Sequence, residues 1–365
     1  MSGVYISYPF CAQKCSFCNF ASGVFSRELE TQYSDALLRE LQTHQWQWTP
    51  DTLYLGGGTP SNMEPLALTR LLHAIPGGSW KEATIEAAPG TLTEEKVAAW
   101  RRLGINRVSM GVQSFVQEEL ARTGRKHTAE IVAADCALLQ QHGIANWNLD
   151  LIAGLPHQTV ESWRESLQWI ARLDPPHVSV YLFEVDEDSR LGLEVLNNGS
   201  RYGAAATPSD DLAADLYETA VDVLDSIGTP RYEISNFAKP GMESAHNCKY
   251  WTMAPYAGFG VDAHSFDGRQ RTGNVDLVPA YVEAVMSRRS PAASVTASNF
   301  AEERLFTGLR LDQGILLSAN DWALHRESIE RFLDAGLLEM RQDRIRLTSR
   351  GVLLSNEVFQ EFLAE

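Results

Sequence analysis

Six short apolar runs, each separated from the next by a stretch of helical period, fill the first half of this chain and restrict it to a parallel-sheet architecture. The runs fall at Val4–Tyr8, Thr52–Leu55, Ala83–Ala87, Arg107–Val112, Trp147–Ile152 and His177–Phe183. Helical patterns lie between them at Arg27–Trp46, Leu66–Ala74, Glu94–Leu103, Ala129–His142 and Val160–Leu173. Several runs are rich in β-branched and aromatic residues, and the helices repeat apolar residues at i, i+3 and i+4. A chain that returns through a helix to the same end of a sheet pairs its strands in parallel, with the helices covering the sheet. Periodicity alone leaves a doubly wound sheet and a partial barrel both open. In either case chemistry is expected at the C-terminal ends of the strands.

The remainder has a different texture. Gly192 to Ser209 reads as a long surface connection, followed by a helix at Asp210–Ile227 and a Gly- and aromatic-rich stretch from Arg231 to Phe266. From Ala301 the pattern gives helices at Glu302–Leu309, Ala319–His325 and Arg326–Ala335. A ribbon at Leu337–Met340 and Ile345–Leu347 follows, with a last helix capped by Thr348 or Ser349. Three regions are therefore expected: a barrel core over 1–190, a flanking α+β segment over 191–300, and a winged-helix-like module over 301–365. That module carries 8 basic and 12 acidic residues, and the whole chain 31 and 47, a net charge of −16. Phosphate binding needs concentrated Lys and Arg, so nucleic acid is disfavoured as a partner. No apolar run approaches the roughly 20 residues of a membrane span, and Met1 to Tyr5 lacks the basic start and apolar core of a secretion signal. A cytoplasmic location is the resulting expectation.

Three of the five cysteines crowd into Cys11-Ala12-Gln13-Lys14-Cys15-Ser16-Phe17-Cys18, directly after the first run. Five is an odd number for a disulfide framework, and in a reducing compartment so dense a group reads as metal-binding. Structural zinc needs four ligands, usually built from Cys pairs, and no second pair exists here. Cys136 and Cys248 stand far off in sequence. Spacings of three and two residues let one loop give three thiolates to three irons of a 4Fe–4S cluster and leave the fourth iron open. Gly56-Gly57-Gly58-Thr59-Pro60 closes the second run, where backbone without side chains admits a ligand closely. Glu86, Gln113 and Asp150 stand on or just past the third, fourth and fifth runs. A polar or zwitterionic ligand would give these groups the partners that burial demands.

A C-x3-C-x2-C loop after the first strand resembles the radical S-adenosylmethionine (SAM) family, and the likeness extends over residues 3 to about 185. It implies a partial (β/α)6 TIM-like barrel, a 4Fe–4S cluster on Cys11, Cys15 and Cys18, and SAM chelated at the open iron. In that family, an electron entering the cluster cleaves the sulfonium C–S bond. Motif matching carries SAM contacts to Tyr5, Phe17, Gly57, Gly58, Thr59, Glu86, Gln113, Arg125 and Asp150. The family's usual Asn after Glu-Ala is Ala88 here.

Leu55 to Ser61, Ile85 to Thr91, Ser109 to Phe115 and Asn148 to Pro156 are similar to one branch of that family. It contains oxygen-independent coproporphyrinogen III oxidase and the HemW-type haem chaperones. The oxidases carry a fourth cysteine two residues after the third, where this chain has Phe20 in Asn19-Phe20, and they have a long extension before the cluster loop. Both departures favour the chaperones. His246-Asn247-Cys248-Lys249-Tyr250-Trp251 matches a His-Asn-x-x-Tyr-Trp motif associated there with haem. A neutral imidazole is a good axial ligand, and Tyr and Trp give flat apolar surface. His246 is thus the expected haem ligand, with Cys248 as an alternative and His264 as a weaker second candidate. His127 and His157 read as polar lining near the SAM face. The resemblance implies apo-haemoproteins as recipients and a flavodoxin- or ferredoxin-type electron donor. It leaves SAM cleavage and a homodimer open, with radical decarboxylation of coproporphyrinogen III as the alternative activity.

Overall fold

The computed structural model describes residues 2–363. Its elements run β1 (Gly3–Tyr8), α1 (Arg27–Thr43), β2 (Thr52–Gly57), α2 (Pro65–His73), β3 (Glu82–Ala87), α3 (Glu94–Arg102), β4 (Arg107–Gln113), α4 (Gln117–Thr123), α5 (Ala129–Gln141), β5 (Asn146–Ala153), α6 (Val160–Leu173) and β6 (His177–Leu182). There follow α7 (Arg190–Leu196), α8 (Asp210–Ser226), β7 (Arg231–Glu233), β8 (Asn236–Ala238), α9 (Asn247–Trp251), β9 (Tyr256–Phe259), β10 (His264–Phe266), β11 (Gln270–Asn274), α10 (Val278–Met286) and β12 (Ala292–Ala297). The chain ends with α11 (Phe300–Gly308), β13 (Ile315–Leu316), α12 (Ala319–Asp334), β14 (Leu338–Arg341), β15 (Arg344–Leu347), α13 (Ser349–Leu353) and α14 (Ser355–Gln360). Among the described residues no helix is long and apolar enough to cross a membrane.

Strands β1 to β6 pair in parallel in sequence order, the staves of a partial (β/α)6 barrel. Local chemistry fixes the helix starts. Ser26, Thr93, Thr128 and Thr159 each accept a backbone N–H of the following helix, and Thr159 with Ser162 closes a capping box. Alternate strand residues serve different layers. Val4, Ile6, Leu53, Leu55, Ile85, Val108, Met110, Leu149, Leu151, Val178 and Val180 pack in the hydrophobic core beneath the helices. The intervening residues include Thr52, Tyr54, Glu82, Glu86, Arg107, Ser109, Asn148, Asp150, His177 and Ser179. They line a polar lumen in place of the aliphatic layers of an ordinary closed barrel.

Residues 191–300, expected as a flanking segment, take part in the barrel sheet itself. Its order is β12-β11-β10-β9-β1-β2-β3-β4-β5-β6-β8-β7, so this segment extends both edges of the barrel. β9 joins β1 in parallel, and β8 joins β6 antiparallel. Nor is Gly192–Ser209 a plain surface connection, because it holds most of α7 and a 3-10 turn at Arg201–Ala206. Glycine there marked close approach: a Cβ at Gly192 would lie 1.9 Å from the Asp186 carbonyl oxygen. The C-terminal module has the expected helix-plus-ribbon make-up, a small sheet β13-β15-β14 with α12 beside it, and α12 kinks at His325 where two helices were expected. Asp312 ties this module to the barrel, accepting from Arg231 at 3.0 Å and Arg346 at 3.1 Å.

The segment before and within α9 closes the bottom of the barrel, at the N-terminal ends of the strands. Glu82 at the start of β3, 4% exposed, accepts from the Ser244 hydroxyl at 3.2 Å and from the Ala245 and His246 amides at 2.9 Å each. Lys249 reaches Asp51 at 2.8 Å. Glu82→Ala would strand three buried donors, and should destabilise the protein by about 3 kcal/mol or more in urea unfolding. Glu82→Gln keeps an acceptor oxygen and should recover part of that loss. A loss under about 1 kcal/mol for the alanine variant would show that this carboxylate does not hold the floor.

Candidate functional site

At the opposite end, where β1 to β6 finish, a cleft of about 470 Å³ opens between the cysteine loop and the strand ends. Cys11, Cys15, Cys18, Phe17, Gly57, Gly58, Thr59, Glu86, Gln113, Arg125 and Asp150 all line it. The structure thus gathers eleven of the expected site residues on one surface. Two stand elsewhere. Tyr5 lies behind the wall, its ring stacked on that of Tyr54 at 6.2 Å. His246 is at the floor.

The cysteine loop is held through its backbone. The Cys11 amide donates to the Gly23 carbonyl at 2.8 Å, and the Ser16 amide to the Thr123 carbonyl at the end of α4 at 3.2 Å. From the other side, the Leu191 amide of α7 donates to the Ser16 carbonyl at 2.8 Å, and Arg190 to the Lys14 carbonyl. All five cysteines are free thiols. Burial raises the Cys11 thiol above its ordinary range, against hydrogen bonds to Thr59 and Ser22. Among the described residues no three His, Cys, Asp or Glu side chains converge as they would on a single ion. Three thiols spread along one wall instead match a polynuclear cluster, in which each sulfur takes its own iron. The donor set fits a 4Fe–4S cluster with one iron left to another ligand.

Glycine at 58 serves chain packing as well as ligand access. A Cβ there would sit 2.8 Å from the backbone of Tyr8, Pro9 and Phe10, and the Gly58 amide donates to the Tyr8 carbonyl at 2.7 Å. Gly57 has φ +106°, a conformation L side chains rarely adopt. Gln113 also takes a left-handed φ, of 71°, at a register shift between β4 and β5. That backbone turn brings its side chain to the cleft.

Two carboxylates face the cleft floor without an ion-pair partner. Glu86 accepts from the Tyr54 hydroxyl at 2.9 Å and the Gly57 amide at 3.0 Å. Desolvation, then repulsion from Asp150, pushes its pKa up to about 7. Asp150 accepts from Asn148 at 2.6 Å and is also raised by burial. Arg125 lies with its guanidinium 6.0 Å from the Phe17 ring centroid and its Nε unpartnered. Two carboxyl groups opposite the Arg125 guanidinium, beside three thiols, suit a ligand carrying an ammonium, a carboxylate and ribose hydroxyls. Sequence reasoning missed Tyr54, Ser109 and Tyr181 in this cleft. Their strand alternation, two residues from Gly56, Gly111 and Phe183, was the available signal.

His127 lines the cleft as expected, held neutral because burial lowers its pKa to about 4. His157 does not line it; its side chain stands 3.9 Å from Glu118. His246, the expected haem ligand, stands at the barrel floor, away from the cleft. Its imidazole is 1% exposed, with Nδ1 hydrogen-bonded to Thr52 Oγ1 and Nε2 to the Tyr250 hydroxyl, both at 2.9 Å. Neither nitrogen is free for iron. Burial, aided by Lys249 and Arg107, drives its pKa down to about 3, so the ring is neutral. Cys248 is a thiol raised to about 11, first by burial. His264 on β10 is 63% exposed, with Asp262 at 3.9 Å.

Comparison with known proteins came down on one side. The radical SAM superfamily model matches residues 5–170, and the HemN C-terminal domain model residues 295–354. The haem chaperone HemW of Bacillus subtilis is 33% identical over the full length of both chains. That of Escherichia coli is 31% identical over 99% of this chain and 98% of its own. The solved coproporphyrinogen III oxidase HemN of Escherichia coli superposes with a TM-score of 0.84, covering 99% of this chain and 89% of its own at 23% identity. That likeness establishes the fold.

Because the Glu86 carboxyl pKa is raised in the folded state, its proton favours folding. The contribution is complete below the ordinary carboxylate pKa and is lost as pH rises through about 7. Allowing for water in the cleft, ligand-free protein should lose on the order of 2 kcal/mol between pH 5 and 8 in urea unfolding. Glu86→Gln should remove that slope and be the more stable protein at pH 8. An unchanged slope in the variant would assign the loss to another group.

Proposed function

The chain belongs to the radical SAM superfamily and, within it, to the family of the haem chaperone HemW; from that premise we propose that it binds haem and delivers it to apo-haemoproteins. The observation that carries this reading is full-length likeness at 31–33% identity to several haem chaperones. Phe20, in place of the fourth cysteine of the oxidases, points the same way.

In this reading Cys11, Cys15 and Cys18 hold the 4Fe–4S cluster. SAM rests on Phe17, Gly57, Gly58, Thr59, Glu86, Gln113, Arg125 and Asp150, with Tyr5 supporting from behind Tyr54. When bound, the cluster and SAM supply one-electron chemistry at an open iron, or a ligand-dependent lock on conformation. Each residue has a separable part. Glu86 takes the SAM ammonium, which favours its ionised form; Asp150 takes ribose hydroxyls; Arg125 pairs with the SAM carboxylate. Gln113 directs its amide to the cleft from a turn that only a crowded site would maintain. The cytoplasm is the setting, with a flavodoxin- or ferredoxin-type protein as reductant.

Haem ligation by His246 requires the 244–251 segment to leave the floor, because both ring nitrogens are occupied there. Of the two histidines expected as haem ligands, His264 is the exposed one, on a strand that adjoins the barrel through β9. Anaerobically reconstituted protein should bind haem near stoichiometrically in an absorbance titration and form no protoporphyrinogen from coproporphyrinogen III with SAM and reductant. His264→Ala should weaken haem binding about tenfold if that ring is an axial ligand. SAM-dependent decarboxylation would transfer the chain to the oxidase reading, and unchanged affinity in the variant would return the ligand to the His246 segment.

A further inference from the structure

The barrel floor and the SAM cleft share one strand. On β2, the Thr52 hydroxyl is hydrogen-bonded to His246 Nδ1 at 2.9 Å. Two residues on, the Tyr54 ring packs on the same imidazole with centroids 5.4 Å apart and planes at 35°. The Tyr54 hydroxyl, at the far end of that ring, donates to Glu86 Oε1 at 2.9 Å. Three residues further, the Gly57 amide donates to Glu86 Oε2 at 3.0 Å. A Cβ at Gly56 would meet Glu86 Oε1 and the Tyr54 ring at 3.0 Å each, so these groups fill the space that glycine leaves. Tyr5 stacks on Tyr54, and Tyr250 holds the other nitrogen of His246. Little room remains for Tyr54 to move unless His246 moves.

We propose that Tyr54, seated on His246, is a positioning residue that fixes the Glu86 carboxylate for the SAM ammonium, so that SAM affinity depends on the 244–251 segment being in place. The proposal rests on the reading of Glu86 as a SAM contact. Coupling between two sites is reciprocal. Anything that draws His246 from the floor, haem ligation included, weakens SAM binding, and bound SAM holds the segment down.

The groups facing Glu86 set the expected pH response. They are Tyr5 from β1, Tyr54 from β2, Arg107 from β4, Asp150 from β5, Tyr181 from β6 and Tyr250 from α9. Arg107 is the one cation among them. Of the neutral groups Tyr54 donates directly to the carboxylate, so its loss raises the pH at which Glu86 ionises.

The test is isothermal titration of SAM into cluster-reconstituted protein between pH 6 and 8.5, with iron content and melting temperature recorded for each variant. Tyr54→Phe should bind SAM about tenfold more weakly at pH 7, with the pH midpoint of affinity shifted upward. His246→Ala should move affinity and midpoint the same way. His246→Gln, whose amide can bridge Thr52 and Tyr250, should lie close to the unsubstituted protein. Wild-type affinity and midpoint in Tyr54→Phe, or in a folded His246→Ala, would overturn the coupling. If His246→Ala does not fold, the Phe and Gln variants decide. Unchanged SAM binding in Glu86→Gln would remove the premise and the proposal together. None of these measurements involves haem, so their outcome stands apart from the chaperone reading.

Discussion

A barrel lumen lined with polar side chains has to satisfy each of them internally, and that requirement organises this molecule. Asn148 stands at the centre, donating to Ser109 at 2.7 Å, Asp150 at 2.6 Å and Ser179 at 3.1 Å, while its carbonyl oxygen meets His177 at 2.7 Å. Ser179 donates to Asn236 on β8 at 2.8 Å, and Asn236 donates to Glu233, which is fully buried. Arg310 then reaches Glu233 at 3.3 Å and lies over the Trp251 ring at 4.3 Å. One continuous set of contacts thus runs from a cleft carboxylate to the C-terminal module. A half-satisfied set would be worse than an apolar core, so the strands, both edge extensions and the module must assemble together.

Arg107 exposes the tension within this arrangement. It is 1% exposed, makes no ion pair within 4.0 Å among the described residues, and its Nε has no partner there. Its field nevertheless favours the ionised forms of Glu86 and Asp150 and the neutral forms of His177 and His246. Two unpaired carboxylates and an unpaired guanidinium oppose burial, yet they are what a charged small ligand needs to meet. Stability is sacrificed where binding requires pre-set charge.

Much of the barrel was legible because helix and strand periods are strong where one face is greasy. All six strands and five of the intervening helices were visible, with ends fixed by Ser, Thr and Gly. The cysteine triplet and the triple glycine were legible because their chemistry is local. What stayed hidden was non-local. β7 to β12 are short strands joined to the barrel only through β9 on β1, with Gly3 opposite Tyr256, and β8 on β6, and no period of their own announces it. α4 is seven residues long and lies between two motifs. The floor position of His246 was hidden for a related reason. A His-Asn-x-x-Tyr-Trp segment offers the same residues to a porphyrin and to a barrel floor, and its contacts with Thr52, Glu82 and Tyr54 come from strands far off in sequence.

The doubly held cysteine loop has a consequence for assembly order. Hydrogen bonds to Gly23, Thr123 and α7 hold its backbone without any side chain of the three cysteines, so the sulfurs take no part in these anchors. A zinc-finger peptide must order its chain at the moment of metal capture. Here the loop is tied by its backbone to α4, α7 and the 22–23 turn, so part of that ordering belongs to the fold around it.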